Sequence, residues 1–164
     1  ADAAVEYQKE HYPNMTLLED NPRVESDDNG DTAYNVAKEL IKTYPDLKGI
    51  MGTSSFDAPG VARAIQELGL VDKFFTSGTG MPADNAELLK SGVIKSLTLW
   101  DPAKSGEAMV DLACKVHAGE EIGAPVNLNV DGYTEMNFRE GSETVLEGQG
   151  WITIDADNVD DFGF

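Results

Sequence analysis

The segment Tyr44–Ile65, YPDLKGIMGTSSFDAPGVARAI, constrains the fold more than any other part of this chain. Pro45 ends a helix, and Leu47–Met51 is a short apolar run of the kind a buried parallel strand shows. Three small hydroxyl residues follow at once, Thr53, Ser54 and Ser55. Phe56, Asp57, Pro59 and Gly60 then open another helix. Strand, polar loop and helix in that order make the repeating unit of an α/β sheet. In an open α/β sheet, ligands bind in the crevice beyond the carboxyl ends of the strands. A loop of hydroxyls, one aromatic and one carboxylate at that place is therefore a candidate ligand contact.

The rest of the chain extends the alternation. Ala1–Tyr12 reads as the C-terminal portion of a helix stopped by Pro13, Met15–Glu19 as a short strand, and Asn21–Gly30 as a polar loop. Asp31 is a candidate N-cap for a helix over Thr32–Tyr44, where Ala33, Val36, Ala37, Leu40 and Ile41 recur at helical spacing. Helices are expected over Pro59–Leu68, Ala83–Lys90 and Pro102–Ala118, and strands over Phe74–Thr76 and Val93–Leu99. Short Gly-containing connections join them, which predicts a doubly wound, mostly parallel, three-layer sheet. After Gly119 the character changes. Val126–Val130, Thr144–Leu146 and Trp151–Ile154 read as strands joined by turns. Few parallel strands are available and the chain opens in mid-helix without an initiator Met. It therefore reads as a mature, trimmed or partial chain whose sheet is completed by a partner or by more of the same protein.

Charge narrows the partners. Thirty acidic residues stand against 12 basic ones, a net charge of −18. Nucleic acid and anionic membrane surfaces both require clustered Lys and Arg, so neither is expected. The acidic residues are scattered and read as a solvated surface. Cys114 is the single cysteine, which excludes an intramolecular disulfide and an all-cysteine zinc site. On an apolar helical face it is expected to be a buried, inert thiol.

Catalytic chemistry finds no support. There is no G-x-S-x-G elbow, and neither His11 nor His117 stands beside a nucleophile in the sequence. Both fall at helix C-termini, where a cation meets the dipole. Cys114 and His117 lie one helical turn apart, but two ligands make a poor metal site. The chain is expected to carry no cofactor, no metal and no enzymatic activity.

Two further places attract attention. Gly78–Pro82, GTGMP, is neither a Walker loop nor G-x-G-x-x-G. It is either a tight strand-to-helix turn or, because it leaves a strand end, a ligand contact through Thr79 and Met81. In SLTLWDPAKSG a strand ends in Trp100 and Asp101. An indole stacks on the apolar face of a sugar and a carboxylate accepts pairs of hydroxyl hydrogen bonds, which suits a neutral polyol. The same residues could instead be a core Trp and a helix N-cap with proline at N1, and Asp57 could equally be a capping residue.

YPDLKGIM with its polar loop and Pro59–Gly60, the stretch ELLKSGVIKSLTLWDPAKSGEAMVDLACKV, and the ending DGYTEMNF…GQGWITIDADNVDDFGF together carry a resemblance. In order and spacing the chain resembles the C-terminal half of a type I periplasmic solute-binding protein, the family serving ABC importers of sugars. Within that family it is most similar to the autoinducer-2- and rhamnose-binding branch. The resemblance implies two α/β lobes joined by three hinge crossings, with a sugar-like ligand closed between them. Residues 1–99 would be the core of the C-terminal lobe. Residues 100–122 would cross the hinge and place their helix in the N-terminal lobe, and residues 123–164 would return as a β-rich tail. The implied ligand contacts fall on Thr53 and Ser55, on the Gly78–Met81 loop with Thr79 and Met81, and on Trp100 and Asp101; the strand-end loop itself adds Ser54, Phe56 and Asp57 as candidates. Ser77–Gly78 stands where many sugar binders carry an Asp, and Thr53–Ser55 replaces a Pro- or Asp-containing loop.

The expected function is thus capture of a sugar or polyol outside the cytoplasm, in the periplasm or as an extracellular, membrane-tethered protein, for delivery to an ABC transporter permease. The other expected partner is the missing N-terminal lobe. A sugar-responsive effector domain of a transcription regulator shares the architecture but needs a DNA-binding headpiece. A sugar-phosphate enzyme fragment would need a general base, and Asp57 and Asp101 have no partner in the sequence.

Overall fold

The computed structural model describes residues 2–18 and 23–164. Its helices are α1 (Asp2–His11), α2 (Gly30–Thr43), α3 (Asp57–Glu67), α4 (Pro82–Lys90) and α5 (Pro102–His117). Its strands are β1 (Gly49–Met51), β2 (Phe75–Thr79), β3 (Ile94–Trp100), β4 (Asn137–Phe138), β5 (Leu146–Glu147) and β6 (Trp151–Ile154). The main sheet has the order β1-β2-β3-β6, and β4 pairs with β5 in an antiparallel ribbon. The chain divides into two compact units, residues 1–97 with 155–164, and residues 98–154.

In the first unit β1 and β2 run parallel, with Gly49 opposite Phe75 and Met51 opposite Ser77. The ladder continues past the strand, because the Gly52 amide donates to the Ser77 carbonyl at 2.9 Å. β2 therefore runs on to Thr79, beyond the expected end at Thr76, alternating buried and half-buried residues as a strand does. Helix α3 supplies much of the core through Ala58, Val61, Ala62, Ala64 and Ile65, all buried. Phe74, Leu89, Val93, Ile94 and Leu97 complete it. Helices α2 and α3 approach closely because Gly60 has no side chain. A Cβ there would lie 2.7 Å from the Gly30 carbonyl oxygen and 2.8 Å from Ala33 Cβ.

Several expectations change. Leu47–Met51 is not a buried strand: β1 is three residues long and lies at an edge of the sheet, with Met51 62% exposed. The cap of α2 is Asn29 rather than Asp31. Its extended backbone aims Oδ1 at the Asp31 and Thr32 amides, at 2.9 and 3.1 Å. Asp31 instead pairs with Arg63 at 2.8 Å. Met15–Leu18 forms no strand, since the Gln8 amide reaches over to the carbonyls of Tyr12 and Met15. Glu19, the end of that expected strand, lies outside the described residues, as do Asn21 and Pro22 of the expected loop.

The second unit is built around Ala108, Leu128 and Met136, with Leu112, Val126, Val130, Tyr133 and Leu146 packed against them. Val126 joins Met136 by a single antiparallel bridge, so the expected strand Val126–Val130 is a turn-rich segment instead. Only Ala108 of α5 is buried, leaving Met109, Val110 and Val116 exposed. Cys114 lies on that outward surface and is exposed, contrary to the expected buried thiol.

Candidate functional site

The expected ligand residues fall into two groups, one in each unit. In the first unit, Thr53–Asp57 follows β1 and Gly80–Met81 follows β2. Because β1 and β2 are parallel neighbours, both loops leave the same carboxyl edge of the sheet. The Thr53–Asp57 loop is held from within. Asp57 Oδ2 accepts the amides of Thr53 and Ser54, each at 2.9 Å. Ser54 Oγ donates to Asp28 and also accepts the Phe56 amide at 3.2 Å. Asp57 Oδ1 is buried with no hydrogen-bond partner. Thr53, Ser55 and Phe56 are exposed, with Phe56 at 50%. With the Asp57 carboxylate holding the loop, the exposed hydroxyls of Thr53 and Ser55 and the Phe56 ring beside them can offer donors, acceptors and an apolar face to a polyol.

Thr79 ends β2, and Met81 is the extended residue that starts α4 with Pro82 at the first helical position. The Met81 carbonyl accepts from Asn85 Nδ2 at 2.9 Å, while Asn85 Oδ1 is buried and unpartnered. The C-terminal carbonyl of Phe164 accepts the Ala83 amide at 3.1 Å, and Lys90 pairs with Asp160 at 2.7 Å. The tail thus fixes the first and last turns of α4. The Asp160 carboxylate raises the Lys90 ammonium above its ordinary value.

Trp100 and Asp101 lie in the second unit. Asp101 Oδ1 accepts the amides of Ala103 at 2.8 Å and Lys104 at 3.3 Å, so this carboxylate caps α5 ahead of Pro102. Trp100 is 44% exposed and meets Trp151 edge to face, their ring centroids 5.6 Å apart at 83°. Both line a concavity of about 180 Å³ with Ser105, Tyr133, Gly148 and Gly150. The sequence reading did not single out Trp151, Tyr133 or Ser105. The available signal was GQGW, a second tryptophan entering a strand directly after two closely spaced glycines. A larger concavity of about 430 Å³, along Val5, Gln8, Pro13 and Leu18, contains none of the expected residues.

Among the described residues, no group of three or more His, Cys, Asp or Glu side chains could hold a metal. No helix among them is long and apolar enough to cross a membrane.

Residues 1–121 match the family model described as periplasmic binding protein domain. The chain belongs to that family. The ABC transporter periplasmic-binding protein YphF of Escherichia coli K12 is 26% identical over 131 residues, covering 79% of this chain and 37% of the relative. Among solved structures, LsrB from Clostridium saccharobutylicum in complex with AI-2 superposes with a TM-score of 0.76 at 18% identity. The match covers 98% of this chain and 53% of LsrB. An ABC transporter solute-binding protein from Agrobacterium vitis, bound with α-D-tagatopyranose, gives a TM-score of 0.73 at 23% identity over 97% of this chain and 45% of its own. These likenesses establish an α/β fold of the type I periplasmic binding protein kind with a mostly parallel sheet, as the element order predicts. This chain spans about half the length, or less, of the proteins it matches.

Proposed function

We propose that this chain is part of an extracytoplasmic solute receptor that captures a neutral sugar or sugar-like polyol between two lobes and delivers it to an ABC transporter permease. The observation that carries the reading is the shared carboxyl edge of β1 and β2. There the Thr53–Asp57 loop and the Thr79–Met81 turn emerge side by side, with one carboxylate oxygen buried and unpartnered. That is where open α/β sheets bind ligands. Thr53, Ser54, Ser55, Phe56, Asp57, Thr79 and Met81 are the contacts on that edge, and Trp100 and Asp101 are the contacts in the second unit. Family membership supports the receptor role, as do the sugar and AI-2 ligands named for the matched structures. The role is binding rather than catalysis.

The rest of the protein supplies the other lobe. Residues 1–99 are the core of this one, residues 100–122 cross a hinge and carry α5 into the partner lobe, and residues 123–164 return. The exposed Met109, Val110 and Val116 of α5 and the edge position of β1 support this division, since both surfaces await a covering element. Lobe closure on the ligand would shift the receptor between transporter-silent and transporter-competent states.

A thermal-shift screen of the complete gene product against pentoses, hexoses, deoxyhexoses and furanosyl compounds tests the reading. A ligand that binds only the folded state raises the melting temperature by an amount that grows with the logarithm of its concentration above its dissociation constant. A concentration-dependent rise with at least one sugar is expected, and a flat response across the panel overturns the proposal.

A further inference from the structure

Helix α4 begins without a cap of its own. Before α2 and α5 the preceding residue, Asn29 or Asp101, accepts the second and third amides of its helix. The corresponding residue of α4 is Met81, which has no side-chain oxygen and makes no such bond. Pro82, at the first helical position, has no amide to satisfy. The next amide, that of Ala83, donates instead to the Phe164 carbonyl at 3.1 Å. An acceptor from the tail thus occupies the place that a Ser, Asp or Asn side chain would take.

The tail is built to hold that acceptor still. Asp155 Oδ1 accepts the Asp157 amide and Asn158 Oδ1 accepts the Asp155 amide, both at 2.9 Å, which closes the chain into a turn after β6. The 3-10 turn Val159–Asp161 follows and packs on α4, with Val159 buried. Asp160 of that turn pairs with Lys90 in the last turn of α4. Phe162 and Phe164 then meet edge to face, their ring centroids 6.0 Å apart at 72°. Tail and α4 belong to the same unit.

We infer that the Asn158–Phe164 tail is a positioning element for the Thr79–Met81 turn, supplying the cap of α4 so that residue 81 need not. An N-cap position ordinarily calls for a short polar side chain. With the Ala83 amide satisfied from the tail, an apolar side chain can stand there, on the same carboxyl edge as the exposed Thr53 and Ser55. The turn is then held from two directions. Asn85 Nδ2 donates to the Met81 carbonyl at 2.9 Å, and Phe164 fixes the Ala83 amide. Gly80 leaves little slack between them, since a Cβ there would lie 3.1 Å from Asn85 Nδ2 and 3.2 Å from Leu97 Cδ1. Loss of the tail frees the Ala83 amide, frays the first turn of α4 and lets Met81 shift. The inference rests on the receptor reading above, in which Thr79 and Met81 are ligand contacts, and names what holds them in place.

The test compares the complete gene product with the same protein stopped after Asp161, which keeps the Lys90 pair and removes the capping carbonyl. Amide hydrogen exchange without sugar reads the cap directly. A tail that merely stabilised the fold would quicken exchange at Ala83 and in the α3 core by the same factor. The expected result is an acceleration at Ala83 about tenfold or more beyond that of the Val61–Ile65 amides, because the Ala83 acceptor itself is gone. Calorimetry with the sugar that the wild type binds, well below the melting temperature of both proteins, should show affinity reduced about threefold or more. Should the shortened protein not fold, Phe162→Ala, which removes the ring paired with Phe164, is read in the same way. Equal acceleration at Ala83 and in α3, or unaltered sugar affinity, overturns the inference and leaves the receptor reading standing. A wild type that binds no sugar removes both.

Discussion

The Asp57 carboxylate accepts the Thr53 amide at 2.9 Å, so the loop after β1 is closed by the first residue of the helix that follows it. The same oxygen takes the Ser54 amide at 2.9 Å. One side chain thus satisfies two loop amides that the sheet leaves unpaired and holds the backbone of Thr53 and Ser54 at the strand end.

Replacing that carboxylate should loosen the loop before it harms the sheet. Asp57→Ala is expected to cost about 0.5–2 kcal/mol, the usual range for losing a cap-type acceptor. Asp57→Asn, which keeps a carbonyl oxygen in place, should recover most of it. Urea denaturation of the three proteins measures this, and an Asp57→Ala midpoint equal to wild type would contradict the assigned role.

Gly60 sets the distance between α2 and α3. A methyl group there meets the Gly30 carbonyl oxygen at 2.7 Å and Ala33 Cβ at 2.8 Å, both parts of a packed helix. Gly60→Ala should destabilise by about 1–3 kcal/mol through overpacking, despite the higher helix propensity of alanine. A melting temperature at or above wild type would show that the helices separate without cost.

Glu67 joins α3 to α2 through Lys38 at 2.6 Å and through the Tyr34 hydroxyl. The Lys38 hydrogen bond foremost, then that of Tyr34, holds the Glu67 carboxyl below its ordinary range. A depressed carboxylate stabilises the fold above its unfolded-state value and loses that contribution as pH falls through the folded value. The same pair raises the Lys38 ammonium, whose share is complete below the ordinary lysine range and fades as pH rises through the raised value. Glu67→Gln should therefore melt below wild type at neutral pH, with the gap closing in acid. Melting curves across that range test the sign, and a gap that widens in acid would refute it.

Asp101 is a cap by geometry and a ligand contact by proposal, and the two roles separate experimentally. Asp101→Ala should cost about 1 kcal/mol of stability, while Asp101→Asn or Asp101→Ser should keep the cap. If the carboxylate also accepts sugar hydroxyls, Asp101→Asn weakens sugar affinity at unchanged melting temperature. Wild-type affinity in Asp101→Asn would assign the residue to the helix alone.

Helix order and most boundaries were legible because each amphipathic segment is long enough for its period to show. The ends of α4 and α5 follow directly from Pro82, Pro102 and the glycines beyond them. The cap of α2 was misplaced at Asp31, because residue type alone does not tell Asn29 from Asp31 on either side of Gly30, whereas the extended backbone of Asn29 puts the cap there. The exposure of β1 was not legible: an apolar run shows that a strand forms, but not whether a neighbour covers it. The aromatic concavity escaped for a related reason. Trp100 and Trp151 meet through tertiary folding, and no local period links positions so far apart in the chain.

The account stands on sugar recognition, and isothermal calorimetry of the complete gene product against neutral monosaccharides measures it most directly. The prediction is saturable binding of one sugar per chain, with charged sugar phosphates giving no heat. Absence of heat from every neutral sugar, or saturable binding of the phosphorylated ones instead, would contradict it.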